Sequence, residues 1–270
     1  MDSVQGIISN LLAKIPDGIS TELQSFDAEQ SKVDSINAIV GNMTGYDCPI
    51  CKNRGYTAEL RDGHMTTVEC SCMVKRRYMR LIRESGLASS LKACTFDSYD
   101  TPSQWQASAK DTARRYATDW RGQWFYIGGT VGSGKTHLCT AICGELLNAG
   151  IPLRYFQWRA DAPALKAAVK DGEEYRAMIM PLKTVKALYI DDLFKGNVTD
   201  ADLNLAFDLL NIRYSNPDLA TIISSEKTIT DLLSIDEAIG SRIYERSKGF
   251  CISATGKEKD WRLYGVQQIS

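Results

Sequence analysis

Trp124-Phe125-Tyr126-Ile127 runs straight into Gly128-Gly129-Thr130-Val131-Gly132-Ser133-Gly134-Lys135-Thr136-His137-Leu138, and this stretch decides how the rest of the chain is read. The first four residues read as an apolar strand, and residues 135–149 read as a helix closed by Gly150. Between them, residues 129–136 fit the pattern G-x-x-x-x-G-K-T. A strand, a glycine loop and a helix in that order aim successive backbone N–H groups, and the positive end of the helix, at a phosphate. The glycines let the main chain curl round a β-phosphate with no Cβ in the way. Lys135 is expected to reach the β- and γ-phosphates, and the Thr136 hydroxyl to take one position on Mg²⁺. ATP is the expected ligand, held by Gly129, Thr130, Val131, Gly132, Ser133, Gly134, Lys135, Thr136 and His137.

Outward from this loop, short apolar runs alternate with helix-like stretches from about Ser103 onward. Strands are expected at 153–156, 187–190, 220–223 and 250–253, and helices at 161–170, 173–180 and 200–214, the last with Leu203, Phe207 and Leu210 on one side. That alternation predicts an α/β fold with a parallel five-stranded sheet flanked by helices on both sides. The strand at 187–190 runs into Asp191-Asp192. A phosphate-bound Mg²⁺ needs a carboxylate at the end of a neighbouring strand, and Asp191 is expected to supply it through water. Asp192 is then placed to orient and deprotonate the attacking water. Asp is one methylene shorter than Glu, so slow or partner-dependent hydrolysis is expected.

Nearer the N-terminus, Cys48-Pro49-Ile50-Cys51 and Cys70-Ser71-Cys72 are separated by eighteen residues that include Gly55 and Gly63. Two such knuckles can face each other across a hairpin, and four thiolates meeting this way make a closed tetrahedral site for structural Zn²⁺. A segment this small gains its fold from the metal. His64 is expected to be a loop residue, and Cys94, Cys139, Cys143 and Cys251 to lie in the core. Val4, Ile7, Ile8, Leu11, Leu12 and Ile15 recur at helical spacing up to Pro16-Asp17-Gly18, and a second, weaker period covers 23–40. The basic run 75–83 reads as a solvated helix face. The expected division is a helical segment at 1–45, a zinc module with basic linker at 46–92, and an ATPase domain at 93–270.

The chain has 270 residues, 44% of them hydrophobic and 24% charged, the make-up of a soluble globular protein. No apolar run approaches the ~18 residues of a membrane span, and Met1-Asp2-Ser3-Val4 does not start a secretory signal, so a cytoplasmic location with no membrane partner is expected. There the eight cysteines are reduced, which favours ligands and core residues over disulfides. A formal net charge of −1 gives no global pull toward nucleic acid.

Taken with Ile239-Gly240-Ser241-Arg242-Ile243-Tyr244-Glu245-Arg246, the glycine loop and the Asp191-Asp192 pair resemble DnaC-type helicase loaders over residues 96–262. These are AAA+ ATPases related to the initiator DnaA and the transposition helper IstB. Gly134-Lys135-Thr136-His137-Leu138 and Asp191-Asp192-Leu193-Phe194-Lys195 have forms found in cellular and phage members, and Asn53-Arg54-Gly55-Tyr56 resembles the short ribbon of DnaI-type loaders. The resemblance implies an ATPase of DNA replication whose N-terminal region grips a hexameric replicative helicase. Its ATPase domain would engage single-stranded DNA, with Lys195 or Arg213 as candidate contacts. It also implies that Arg242 is an arginine finger acting on a neighbour's γ-phosphate, hence self-association. Arg246, one helical turn on, and Arg262, in Asp260-Trp261-Arg262-Leu263, become candidate nucleotide contacts. One departure concerns turnover: Glu226 stands where the family has Asn, so either Ser225 takes that role by hydrogen bonding or Glu226 contributes an acid. An IstB-like transposition helper and an ATP-binding adaptor with little hydrolysis are the rival readings.

Overall fold

A computed structural model describes residues 17–84, 88–256 and 259–264, so the apolar run at 4–15 lies outside the described residues. The chain divides into two compact units between Arg76 and Arg77.

In the first unit, helix α1 (Asp17–Ala38) packs on an antiparallel hairpin of β1 (Tyr56–Arg61) and β2 (His64–Glu69). Asp62 and Gly63 turn the hairpin at φ of 51° and 78°, the two left-handed residues that a tight turn between right-twisted strands requires. Asn37 locks α1 to the hairpin: its amide donates to the Ala58 carbonyl at 2.8 Å and accepts from the Ala58 N–H at 3.0 Å. His64 opens β2 at the hairpin tip rather than sitting in a loop. Helix α2 (Cys72–Glu84) holds the basic run, and its Arg76 turns back to the carbonyls of Thr44 at 2.8 Å and Tyr46 at 2.5 Å.

The second unit follows the expected alternation. Helices α3 (Ala88–Ala93) and α4 (Gln104–Asp119) precede β3 (Trp124–Gly129), α5 (Lys135–Asn148), β4 (Leu153–Gln157), α6 (Trp158–Ala168), α7 (Gly172–Thr184) and β5 (Ala187–Leu193). Then come α8 (Asp200–Ser215), β6 (Ala220–Ser225), α9 (Ile229–Ile235), α10 (Glu237–Arg246), β7 (Cys251–Ala254) and α11 (Trp261–Tyr264). The five strands pair in parallel in the order β4-β5-β6-β3-β7. All six residues of β3 are buried, and they alternate: Phe125 and Ile127 pack with Leu138, Ile142 and Leu146 of α5, while Trp124 and Tyr126 join Leu205 and Leu209 of α8. Two-sided burial explains why the strand reads as an unbroken apolar run.

Several expectations need correction. Phe207 is 41% exposed, because the buried stripe of α8 runs through Leu205, Ala206, Leu209, Leu210 and Arg213 instead. Arg213 cannot touch DNA: it is fully buried, donating to Thr221 Oγ1 at 2.9 Å and to the carbonyls of Leu182, Val185 and Ala220. Helix α7 continues through Pro181 for one more turn before ending. Cys139 and Cys143 are core, but Cys94 and Cys251 are only partly covered.

Candidate functional site

The loop after β3 opens into a cavity of about 360 Å³ at the carboxyl ends of the strands, where open parallel sheets place ligands. Gly129 and Gly134 adopt φ of 122° and 84°. A Cβ on Gly129 would meet the Ala254 carbonyl oxygen at 2.4 Å, and one on Gly134 would meet the Tyr99 ring at 2.9 Å, so neither position accepts a side chain. Gly134 caps α5 without a side-chain bond, which leaves the first amides of that helix for an anion. Lys135 is buried, and its ammonium donates to the carbonyls of Gly129 at 2.9 Å and Thr130 at 2.7 Å. Burial pulls its pKa down, while Asp192 and Glu226 act the other way. Thr136 is exposed on the cavity wall. His137 also lines the cavity, with Nε2 2.9 Å from the Thr95 carbonyl and its ring edge-on to Tyr99.

The two neighbouring acids are separated by a β-bulge. Ile190 pairs with Ile223 and Leu193 with Ser225, so Asp191 and Asp192 together face Ser224 alone. Asp192 takes φ 55° and turns to the cavity, where it lies with Lys195 and Glu226. Asp191 stays behind the wall at 4% exposure. Its carboxylate accepts hydroxyl bonds from Tyr155 at 2.8 Å, Tyr189 at 2.6 Å and Ser224 at 2.5 Å. Ser224 Oγ also accepts from the Asp192 N–H at 3.0 Å. Of the two residues left open by sequence, Glu226 reaches the cavity. Ser225 does not: its buried hydroxyl donates to the Leu193 carbonyl at 2.7 Å.

Arg262 lines the cavity, and its neighbour Trp261 donates its N–H to the Gly132 carbonyl at 3.1 Å. Arg242 and Arg246 are not on that wall. Arg242 lies across Phe207 at 4.8 Å and donates to the Ala238 carbonyl at 2.8 Å. Arg246 stands 5.9 Å from the ring of Trp124, at the start of β3, the far end of that strand from the loop. Sequence reasoning missed Ser98, Tyr99, Gln106 and Trp261, which also line the cavity. The buried hydroxyls of Tyr99 and Ser133 have no partner, which fits a polar ligand between them. Burial pushes the Tyr99 phenol up to about 12. The signal for Tyr99 was the Phe96-Asp97-Ser98-Tyr99 loop, which carries no pattern of its own.

In the first unit, the thiols of Cys48, Cys51, Cys70 and Cys72 are buried, with all four sulfurs within 4.8 Å of one another. Cys48 and Cys70 are 3.8 Å apart and Cys51 and Cys72 3.5 Å, close to the ~3.8 Å edge of a tetrahedron with Zn–S of about 2.3 Å. Lys52 and Asn53 adopt φ of 47° and 66°, and the Gly55 N–H donates to Cys51 Sγ at 3.3 Å, the tight knuckle that wraps a metal. The donor set fits Zn²⁺.

A family model described as IstB-like ATP binding protein matches residues 53–259. The chain is 33% identical over 238 residues to the phage-like element PBSX protein XkdC of Bacillus subtilis (strain 168), covering 82% of this chain and 88% of that protein. It is 28% identical over 120 residues to the replicative helicase loader DnaC of Escherichia coli (strain K12), 43% of this chain and about half (49%) of the loader. A crystal structure of the DnaC helicase loader superposes with a TM-score of 0.54 at 22% identity, over 62% of this chain and 98% of the other. One of DnaI gives 0.51 at 21% identity, over 63% and 92%. The flanked five-stranded parallel sheet is the fold shared with these structures. No helix among the described residues is long and apolar enough to cross a membrane.

Proposed function

We propose that this chain, a member of the IstB-like ATP-binding protein family, is an ATP-driven loader of a hexameric replicative helicase, working in the cytoplasm on a phage-borne or related replicon. The observation that carries the reading is the single cavity in which the amides of residues 132–136, Lys135 and Thr136 meet Asp192 and Glu226. The loop amides and Lys135 hold the β- and γ-phosphates. Thr136 and, through water, Asp191 would hold Mg²⁺, which supplies positive charge between those phosphates. Tyr99 and Gln106 offer polar atoms to the nucleoside, and Arg262 a cation at the mouth. Asp192 orients a water whose oxygen bonds to the γ-phosphorus as the bond to the bridging oxygen breaks with its electrons to ADP; the proton passes to Asp192. Arg242, half-buried and off the wall of its own cavity, completes a neighbour's site, so the active form is an oligomer. Residues 1–45 and the zinc module at 46–92 grip the helicase, and the domain at 93–270 engages single-stranded DNA by charge and stacking. The names of the DnaC and XkdC relatives support a replication role on a phage element.

The test is titration calorimetry with ATP on the purified chain, followed by phosphate release alone and with single-stranded DNA and helicase. Lys135→Ala should cost about 1.5–3 kcal/mol of ATP affinity, the range of a charge-assisted hydrogen bond. Unchanged affinity would sink the nucleotide site. The family match favours a second reading, a transposition helper acting on duplex DNA. Stimulation by a transposase with no capture of helicase would choose it, and ATP bound without turnover would leave an adaptor.

A further inference from the structure

Nucleotide binding by the glycine loop leaves Lys195, a cation on the cavity wall, without a role. Lys195 Nζ stands 2.7 Å from Asp192 Oδ2 and 3.1 Å from Glu226 Oε1, and all three side chains share the wall that carries Lys135 and Thr136. The backbone builds this placement. Asp192 and Phe194 take φ of 55° and 59°, and the Lys195 N–H closes the turn on the Asp192 carbonyl at 3.0 Å. Phe194 is buried edge-on to Trp158, 5.4 Å between centroids, which anchors the turn and leaves Lys195 lying across the two acids.

Charge makes the arrangement unstable toward one kind of ligand. Two carboxylates and a triphosphate cannot share a cavity of about 360 Å³ without added positive charge. A carboxylate engaged by an ammonium is also a poor base, because the cation occupies a lone pair and lowers its basicity. A γ-phosphate group carries more negative charge than Asp192 and competes for the same ammonium, which sits on a flexible stem with three rotatable donors. A diphosphate has no oxygen at that place.

We propose that Lys195 is a γ-phosphate-binding residue and that Glu226 positions it: with a nucleoside triphosphate, Lys195 keeps Glu226 and exchanges Asp192 for a γ-phosphate oxygen. The exchange frees Asp192 as base only when there is a γ-phosphate to cleave, and it gives the site a preference for triphosphate over diphosphate. The Lys195 ammonium is held charged, its pKa raised first by the hydrogen bond to Asp192 and further by Glu226, against burial. The inference rests on the nucleotide reading above and deepens it.

The experiment is calorimetry of the full chain with ADP and with a non-hydrolysable ATP analogue. In Lys195→Met the preference for the triphosphate should fall about tenfold, the worth of one charge-assisted contact, while Lys195→Arg should keep it within about threefold. A preference unchanged in Lys195→Met, with ADP still bound, overturns the proposal and leaves nucleotide binding intact. Failure of the wild-type chain to bind either nucleotide overturns both. Should Lys195→Met bind neither, Glu226→Gln decides: a preference lowered about threefold supports the assignment, and an unchanged one overturns it.

Discussion

Asp191 and Asp192 are adjacent in the chain and lie in different surroundings, one caged by three hydroxyls and the other facing the cavity. The proposed base is therefore Asp192, and Asp192→Asn should lower phosphate release by about 10²–10⁴-fold while ATP still binds, read by single-turnover kinetics beside calorimetry. Equal loss of binding and turnover would assign it to holding the nucleotide instead. The acid pair itself was legible, since carboxylates at the end of an apolar strand are rare without a task. The roles expected of the two acids came from their order in the chain; what was not legible is the backbone that separates them, because the bulge and the positive φ at Asp192 rest on Ser224 across the sheet, and the cage round Asp191 on tyrosines from two strands. Arg213 was misjudged for a related reason. Arginine is mostly exposed, and only the carbonyls arrayed around this one make full burial tolerable.

The hairpin with its two cysteine knuckles is the element least able to hold itself together without help. Burial raises the Cys51 thiol, but the Gly55 amide and the neighbouring thiols outweigh it and bring the pKa down to about 6. Burial pushes Cys72 up to about 12, against Arg76. Cys51 and Cys72, so far apart, do not ionise together unless a cation draws them, which a divalent metal does. Elemental analysis should find about one zinc per chain, lost in Cys51→Ser. A chelator should open the segment around residues 46–76 to protease while the second unit keeps its melting transition. Zinc-free protein with an unaltered protease pattern would make the cysteines plain core. The C-x-C spacing of the second pair was readable, as was the hairpin, because both rest on local rules of turn and knuckle.

Across the whole molecule, the parallel sheet was legible because buried strands and the helices between them impose their own alternation of apolar runs. Element ends drifted by a few residues, as at α6 and α7, where tertiary packing carries a helix past a proline or starts it early. Arg242 tests the molecule at this scale. It lies beside Phe207, off its own cavity wall, so Arg242→Ala should abolish most turnover, roughly 10³-fold, in the assembled state. Mixing it with Lys135→Ala should restore part of the rate, since each variant supplies what the other lacks; no recovery in the mixture would refute action between subunits. At the opposite end of the sheet from the phosphate loop, the Arg213 guanidinium joins the exit of α7 to the first residues of β6. It works as a rivet. Any leverage passed along the strands from the nucleotide has a stiff fulcrum there, and motion is steered toward the loops rather than absorbed by the base.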